Sequence, residues 1–263
     1  MREFVPDSVR DGVGALLRGA RAVVRRAGVG PWAANAARLR QFTDLHRGRR
    51  CFILGNGPSL AQTDLEPLRG EISFALNRGY LLRTERGFTP TYLVAVNDLV
   101  LGQCAADLAG LDLPRFIGWR ARRLFAPDPR IHFLDTRQTG ANGFSRDITR
   151  EVYEGYTVTY VALQLAYYMG FDDVILIGVD HRFATQGRPN RTVVSQGADR
   201  DHFSAAYFGP GFAWQLPDLA RSERAYRRAH EAFVAAGRRV GDATIGGGLA
   251  VFPKVDYAGL FRR

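Results

Sequence analysis

Five short apolar runs, each followed by polar or glycine residues, most constrain the fold of this chain. They cover residues 51–54, 72–76, 92–97, 131–134 and 173–179. Continuous apolar runs of this length are typical of strands buried on both faces of a parallel sheet. The segments between and after these runs predict helices over 62–68, 98–110, 144–153, 158–169 and 218–237, and a last strand over 249–252. This alternation predicts an α/β domain with a mainly parallel sheet flanked by helices.

Composition limits the class of protein. The 263 residues, 46% of them hydrophobic, suffice for one larger domain with a single core. The two cysteines, Cys51 and Cys104, do not make a disulfide framework. Because we find neither a long apolar span nor a signal-peptide pattern, we expect a cytoplasmic protein. A peripheral position at the inner face of a membrane stays open.

The positive charge is concentrated at the N-terminus. Residues 1–50 hold eleven arginines against four acidic residues, whereas the whole chain carries a net charge of +10. We therefore divide the chain into a basic helical segment, residues 1–48, with helices expected over 8–28 and 33–46, and an α/β domain, residues 49–258. The segment suits an anionic lipid surface, the domain itself or a second subunit. Nucleic acid is not an expected partner, because no zinc-ligand spacing or recognition motif is present.

Residues 182–216 have a different character. They are rich in glycine and polar residues and show little periodicity, yet they contain several aromatic residues. A long loop in a compact domain is usually a lid or a binding loop, and the aromatic residues argue against disorder. We call this segment the flap and expect it to be ordered over a site.

Polar residues follow four of the predicted strands, at the edge where open α/β sheets bind ligands. They are Gly55, Asn56, Gly57, Pro58 and Ser59 after the first strand, Asn77 and Arg78 after the second, Asn97 and Asp98 after the third, and Asp180 and His181 after the fifth. Glycines allow close backbone approach, and asparagine offers a donor and an acceptor to a base or ribose. A single strand-end asparagine is more often a turn residue, but four such ends together predict a nucleotide site. The turn is neither a Walker loop nor a dinucleotide fingerprint, because no Gly-Lys-Ser/Thr follows and Leu60 replaces the third glycine.

A second feature suggests where a phosphate group would bind. Thr157 and Thr159 stand where the helix predicted over 158–169 begins. Thr157 suits the N-cap position, and the free amides of a first helical turn bind anions. A plain helix cap without a ligand explains the same residues equally well.

Two histidines are candidates for proton transfer. His202 lies in the flap, where a general base would face an acceptor hydroxyl. His181, beside Asp180 at a strand end, competes for that role or contacts the substrate. No ligand spacing supports a metal site.

Several motifs together resemble a known family. They are FILGNGPSL, ALNRGYLL, VAVNDLV, YEGYTVTYVALQLAYYMGFDDVILIGVDHRF and DHFSAAYFG. They are similar to the bacterial 6-hydroxymethylpterin pyrophosphokinase-like (MptE-like) domain family over residues 40–258, often found with polysaccharide-biosynthesis functions. They are more distantly similar to bacterial lipooligosaccharide sialyltransferases and to the central domain of flagellin-modifying nonulosonic acid transferases.

The sialyltransferase resemblance implies a modified Rossmann-like sheet with a lid, a variant of the GT-A glycosyltransferase fold. It implies that Asn56, Asn77 and Asn97 contact a CMP-activated sugar and that the turn at 157–159 holds its phosphate. Those enzymes carry a catalytic histidine in the lid, but Pro210 stands at the matching position of this chain. Either His202, eight residues earlier, takes the base role, or the mechanism differs. In the first case His202 is the base and Tyr207 donates to the leaving group. Val158-Thr159 also replaces the Ser-Gly of those enzymes.

Three functions follow from these observations. The first is transfer of an acidic sugar from a CMP-activated donor to a glycan acceptor in envelope or capsular polysaccharide synthesis, without a cofactor. The second is magnesium-dependent diphosphate transfer from ATP to a hydroxymethylpterin, with Asp98 and Asp180 as metal ligands. The third is a non-enzymatic nucleotide sensor or scaffold. A homo-oligomer is compatible with each of them.

Overall fold

A parallel sheet of seven strands forms the centre of the computed structural model, which describes residues 31–138 and 143–262. The strands are β1 (Arg50–Leu54), β2 (Ser73–Leu76), β3 (Tyr92–Ala95), β4 (Arg115–Gly118), β5 (Ile131–Leu134), β6 (Asp173–Ile177) and β7 (Arg239–Asp242). Their order across the sheet is β7-β6-β1-β2-β3-β4-β5, and every pairing is parallel. The predicted α/β, Rossmann-like architecture is therefore confirmed. The order reverses direction between β1 and β6, as in other open sheets that bind ligands at this point.

Helices cover both faces of the sheet. They are α1 (Pro31–Arg40), α2 (Leu82–Arg86), α3 (Asp98–Ala109), α4 (Val158–Tyr168) and α5 (Leu219–Ala235). One face packs Ile53 and Phe74 against α4, α5 and α1, and the other packs Phe52 and Leu93 against α3 and the flap. Apart from Arg50 and Ser73, β1 to β3 consist of apolar residues, because successive residues face opposite sides of the sheet and both sides are covered; this pattern made the strands recognisable from sequence.

Two strands of the sheet were not predicted because charged residues interrupt their apolar pattern. Arg115 begins β4, yet its side chain is fully buried and ion-paired with Asp128 at 2.7 Å. Its guanidinium Nη atoms also donate to three backbone carbonyls, which satisfies most of its buried donors and leaves Nε without a partner among the described residues. β7 ends at Asp242, a buried residue that pairs with Lys254 at 2.6 Å.

Three predicted elements are wrong. The helix expected over 144–153 is replaced by a loop and the short strand Val152–Tyr153, which pairs with Thr136–Arg137. In that loop the Asp147 side chain accepts a hydrogen bond from the Thr149 amide at 3.0 Å, and such local bonds compete with a helix. The segment over 62–68 forms 3₁₀ turns, and the segment over 249–252 forms no strand.

The N-terminal segment is described only from residue 31 onwards, so the helix predicted over 8–28 lies outside the described residues. Helix α1 covers part of the second predicted helix and docks against β5. The Asn35 side chain donates to the Phe133 carbonyl at 2.7 Å and accepts from the Phe133 amide at 3.0 Å. Asn35 thus pairs with the backbone of one residue at the open edge of β5, which no further strand covers within residues 31–138 and 143–262. In the part of the chain that the structure describes, we find no helix with the length and apolar character to cross a bilayer.

Candidate functional site

A cleft of about 550 Å³ opens at the carboxyl ends of β1, β2, β3 and β6. The flap forms its opposite wall through Phe183, His202, Tyr207 and Trp214. Several flap aromatic residues are buried against the sheet, and the short strands Thr192–Val194 and Ala213–Gln215 pair within it. The structure thus brings most of the strand-end residues and the flap together around one space.

Backbone strain is concentrated around this cleft. Among the described residues, five non-glycine residues have a left-handed backbone, and four of them line the cleft. They are Asn77 (φ 49°), Tyr156 (φ 63°), His181 (φ 53°) and Asn190 (φ 64°). Such conformations cost about 1–3 kcal/mol for most residues and collect at binding sites, which identifies this cleft as the candidate functional site.

Asn56 and Asn77 line the cleft, and each carries a buried amide oxygen without a partner in the described part of the chain. The Oδ1 atom of each is buried and has no hydrogen-bond partner among the described residues. An unsatisfied buried acceptor costs about 1–3 kcal/mol, so each of these oxygens requires a water molecule or a ligand group as its partner. The backbones of both residues are well fixed, because the Asn56 carbonyl accepts from the Phe203 amide at 2.8 Å and the Asn77 amide donates to the Val94 carbonyl at 2.8 Å.

The glycines of the first turn make close contacts within the protein. A Cβ atom on Gly55 would lie 2.3 Å from the Gly178 carbonyl oxygen, and one on Gly57 would lie 1.9 Å from Asp180 Oδ2. Asp180 reaches into the turn and accepts from the Ser59 hydroxyl at 2.7 Å and from the Ser59 amide at 3.2 Å. The glycines are therefore required for packing, and a carboxyl group in this turn makes it a poor place for phosphate.

Other predicted site residues have structural partners. Arg78 does not line the cleft: it is buried in the flap side of the sheet, donates to the Ala206 and Tyr207 carbonyls, and packs over the Phe212 ring at 4.4 Å. It anchors the flap to β2. Pro58 begins a 3₁₀ turn and likewise lies outside the lining.

The third strand end also has a structural part. Asn97 lines the cleft and caps α3, accepting from the Leu99 amide at 3.0 Å. Asp98 lies outside the lining and pairs with Arg120 at 3.2 Å. Since Arg120 also pairs with Glu154 at 2.7 Å, this cluster braces the rim of the cleft.

The N-terminus of α4 points to the cleft. Thr157 caps this 11-residue helix by accepting from the Thr159 amide at 3.3 Å, and both threonines line the cleft. The Thr157 hydroxyl lies 3.2 Å from the hydroxyl of Tyr226, which is also at the cleft. Gly155 and Tyr156, both left-handed, turn the chain sharply into the helix. The predicted anion site therefore has the required geometry of a capped helix end facing open space.

His202 is held tightly in the flap. Its Nδ1 atom lies 2.8 Å from Asp199 Oδ2, and its ring stacks on Tyr207 with centroids 4.1 Å apart. Its side chain is 11% exposed and faces the cleft. Tyr207 is 1% exposed, its hydroxyl accepts from the Arg78 amide at 3.3 Å, and burial raises its pKa. The Tyr207 ring thus supports the imidazole. Its hydroxyl is buried and is not exposed for the predicted role as a proton donor.

His181 also lines the cleft, just beyond the end of β6. Its ring packs against Tyr226 with centroids 6.2 Å apart. Burial is the largest influence on its titration and lowers its pKa, which keeps the imidazole neutral near pH 7. A neutral imidazole at this place suits a substrate contact.

Pro210 stands where the sialyltransferases that the sequence resembles carry their lid histidine, and it is exposed and lies outside the cleft lining. The described residues contain no group of three or more histidine, cysteine or acidic side chains suited to a metal. Asp98 and Asp180 are engaged with Arg120 and Ser59, respectively.

The sequence analysis missed four residues that shape the site: Tyr156, Asp199, Arg221 and Tyr226. Asp199 was detectable, because it stands three residues before His202 in the loop sequence DRDH. Arg221 donates to the Tyr156 hydroxyl at 3.1 Å at the mouth of the cleft. No local pattern distinguishes Arg221 and Tyr226 from other residues of α5, since only the fold brings that helix to α4.

Comparisons with known proteins extend this picture only at the level of the fold. No protein-family model and no curated protein sequence matches the chain. In structure the chain is similar to the MAf glycosyltransferase from Magnetospirillum magneticum AMB-1, with a TM-score of 0.50 and 15% sequence identity. The similarity covers 94% of this chain and 43% of that one, so this chain spans less than half of the glycosyltransferase. At this identity the similarity shows a shared fold.

Proposed function

We propose that this protein is a glycosyltransferase that uses a nucleotide-activated sugar, with a CMP-linked acidic sugar as the donor. The observation that carries the proposal is the pair of unpaired, buried amide oxygens on Asn56 and Asn77 at the carboxyl edge of the sheet. A cytosine amino group and ribose hydroxyls are hydrogen-bond donors and complement such oxygens. The shared fold with a glycosyltransferase agrees with this function, as does the resemblance to sialyltransferases.

The phosphate of the donor belongs at the other side of the cleft. The capped end of α4 offers a positive helix terminus and the Thr157 and Thr159 hydroxyls there. The glycine turn is excluded on electrostatic grounds, because the Asp180 carboxyl group fills it. The nucleotide therefore spans the cleft from the ends of β1 and β2 to α4.

The proposed reaction is direct displacement at the anomeric carbon of the donor. A new bond forms between the acceptor oxygen and that carbon, while the bond to the phosphate oxygen breaks and CMP leaves with the electron pair. His202 accepts the acceptor proton at Nε2, since its Nδ1 is engaged with Asp199. The α4 terminus stabilises the charge that develops on the phosphate. His181 contacts the donor. The acceptor is a hydroxyl of a cell-envelope or capsular glycan.

Substitution of His202 tests this mechanism. CMP-N-acetylneuraminate serves as the donor, and release of CMP by transfer to water reports the chemical step in the absence of a known acceptor. We expect His202→Ala to slow CMP release by about a hundredfold, because a general base contributes about 10²–10⁴ in rate, with little change in CMP affinity. His230→Ala, on α5 and outside the cleft lining, is the control.

Three results would contradict the proposal. Full activity of His202→Ala together with loss of activity in His181→Ala would reverse the roles of the two histidines. Binding of ATP only with magnesium, and no binding of CMP, would favour the diphosphokinase. Binding of CMP without any turnover of nucleotide donors would favour a sensor.

A further inference from the structure

The flap holds the His202 imidazole in one orientation from two directions. Asp199 lies in hydrogen-bond contact with Nδ1 at 2.8 Å, and Tyr207 stacks against the ring face with an interplanar angle of 6°. The rings of Phe208 and Trp214 meet the imidazole edge-on at 5.0 and 5.9 Å. A histidine that served only as a surface loop residue would not need this enclosure.

Asp199 is itself fixed in place. Its side chain is 4% exposed, and its two oxygens accept from the Asp201 amide at 2.8 Å and the Phe208 amide at 3.0 Å. Burial acts to raise the pKa of this carboxyl group, but its hydrogen bonds with the His202 ring and the two amides, joined by the His202 charge whenever that ring is protonated, outweigh burial and lower it. Asp199 therefore stays ionised, and an ionised carboxylate beside Nδ1 can only accept a hydrogen bond.

We infer that Asp199 is a positioning residue that keeps the His202 proton on Nδ1 and leaves the Nε2 lone pair free toward the cleft. The inference rests on the proposed role of His202 in sugar transfer. When His202 takes up the acceptor proton at Nε2, the carboxylate also stabilises the imidazolium that forms. An aspartate that orients a base in this way acts through the histidine and does not touch the substrate.

A merely structural role for Asp199 is the competing explanation, because its carboxylate also accepts hydrogen bonds from two backbone amides of the flap. The chain offers a matched control in Asp201, which is 3% exposed and accepts from the Ala184 and Thr185 amides, so that its carboxylate serves other flap residues than His202. Asp201→Asn perturbs the flap to a similar degree and leaves the His202 contact in place.

Two measurements test the inference. The first is ¹⁵N NMR of the His202 ring in the unmodified protein, for which we expect a protonated Nδ1 and an unprotonated Nε2. The second is the rate of CMP release from CMP-N-acetylneuraminate. We expect Asp199→Asn to lower kcat by roughly ten- to a hundredfold with CMP affinity unchanged, because a neutral amide cannot stabilise the imidazolium. Asp201→Asn should retain most of the kcat.

The outcomes separate this inference from the proposed function. A proton on Nε2 in the resting protein would overturn the inference without any assay of activity, so a variant that fails to fold does not leave it untested. Equal losses of kcat in Asp199→Asn and Asp201→Asn would also overturn it and assign Asp199 a structural role. A protonated Nδ1 with no turnover of the donor by the unmodified protein would support the positioning of His202 and refute sugar transfer.

Discussion

Replacement of Asn56 by leucine should separate stability from binding at the cleft. The Asn56 side chain carries a buried Oδ1 atom without a partner, whereas its backbone carbonyl holds the flap through the Phe203 amide. Leucine has nearly the same shape, keeps the backbone contact and removes the unsatisfied oxygen. The substitution therefore tests whether this oxygen is present for the folded protein or for a ligand.

The expected changes in stability and in CMP affinity both follow from the cost of an unsatisfied buried acceptor, about 1–3 kcal/mol. Asn56→Leu should raise the free energy of unfolding by about 1 kcal/mol in the absence of ligand. It should weaken CMP binding by about tenfold or more, since 1.4 kcal/mol corresponds to a factor of ten in Kd. Functional sites often show this opposition between stability and binding.

Equilibrium unfolding in urea measures the first quantity, and isothermal titration with CMP measures the second. Asn35→Leu is the control, because Asn35 is buried and both of its amide atoms are paired with Phe133, whereas Asn56 is half-buried and its Oδ1 atom is unpaired within the described residues. That control should lose about 1–3 kcal/mol of stability and leave CMP affinity unchanged. Our reasoning is refuted if Asn56→Leu is destabilised as strongly as Asn35→Leu and binds CMP normally.

Two further predictions concern the stability of the fold. Gly57→Ala should destabilise the protein by about 1–3 kcal/mol in urea unfolding, because the new Cβ would lie 1.9 Å from Asp180 Oδ2. Gly197→Ala is the control and should be neutral, because open space surrounds Gly197. Equal stabilities of the two variants would contradict the packing argument. Burial above all lowers the pKa of His132 from 6.5 to about 4, so unfolding takes up a proton and stability should fall by roughly 3 kcal/mol as the pH decreases from 6.5 to 4. Unfolding curves across this range should lose that slope in His132→Phe, and an unchanged slope would show that other groups cause it.

The sheet was predictable wherever strands are apolar on both faces, as in β1 and β6. It was not predictable at β4, because an arginine in a sequence predicts an exposed position. The backbone carbonyls that accept from the buried Arg115 guanidinium are visible only in the structure. The helix expected over 144–153 failed for the opposite reason, since side-chain bonds around Asp147 favour a loop. Local patterns therefore describe burial by apolar packing well and burial by polar contacts poorly.

The candidate site was likewise predictable in part: its location was, but the orientation of its side chains was not. The strand-end motifs located the cleft, because the carboxyl ends of parallel strands meet at one edge. They could not tell which polar residues face the cleft and which brace it: Asn77 and its neighbour Arg78 differ in this respect although they are adjacent. The sequence also placed His202 in the flap but did not reveal the contact with Asp199, which depends on the turn of the folded loop.

A crystal structure of the protein grown with CMP and without magnesium tests the central claim most directly. We expect the nucleotide in the cleft, with hydrogen-bond donors of its base or ribose about 3 Å from Oδ1 of Asn56 and Asn77 and its phosphate at the N-terminus of α4. His202 Nε2 should face the space beyond the phosphate. A nucleotide bound elsewhere, or one whose phosphate lies in the glycine turn beside Asp180, would contradict the account.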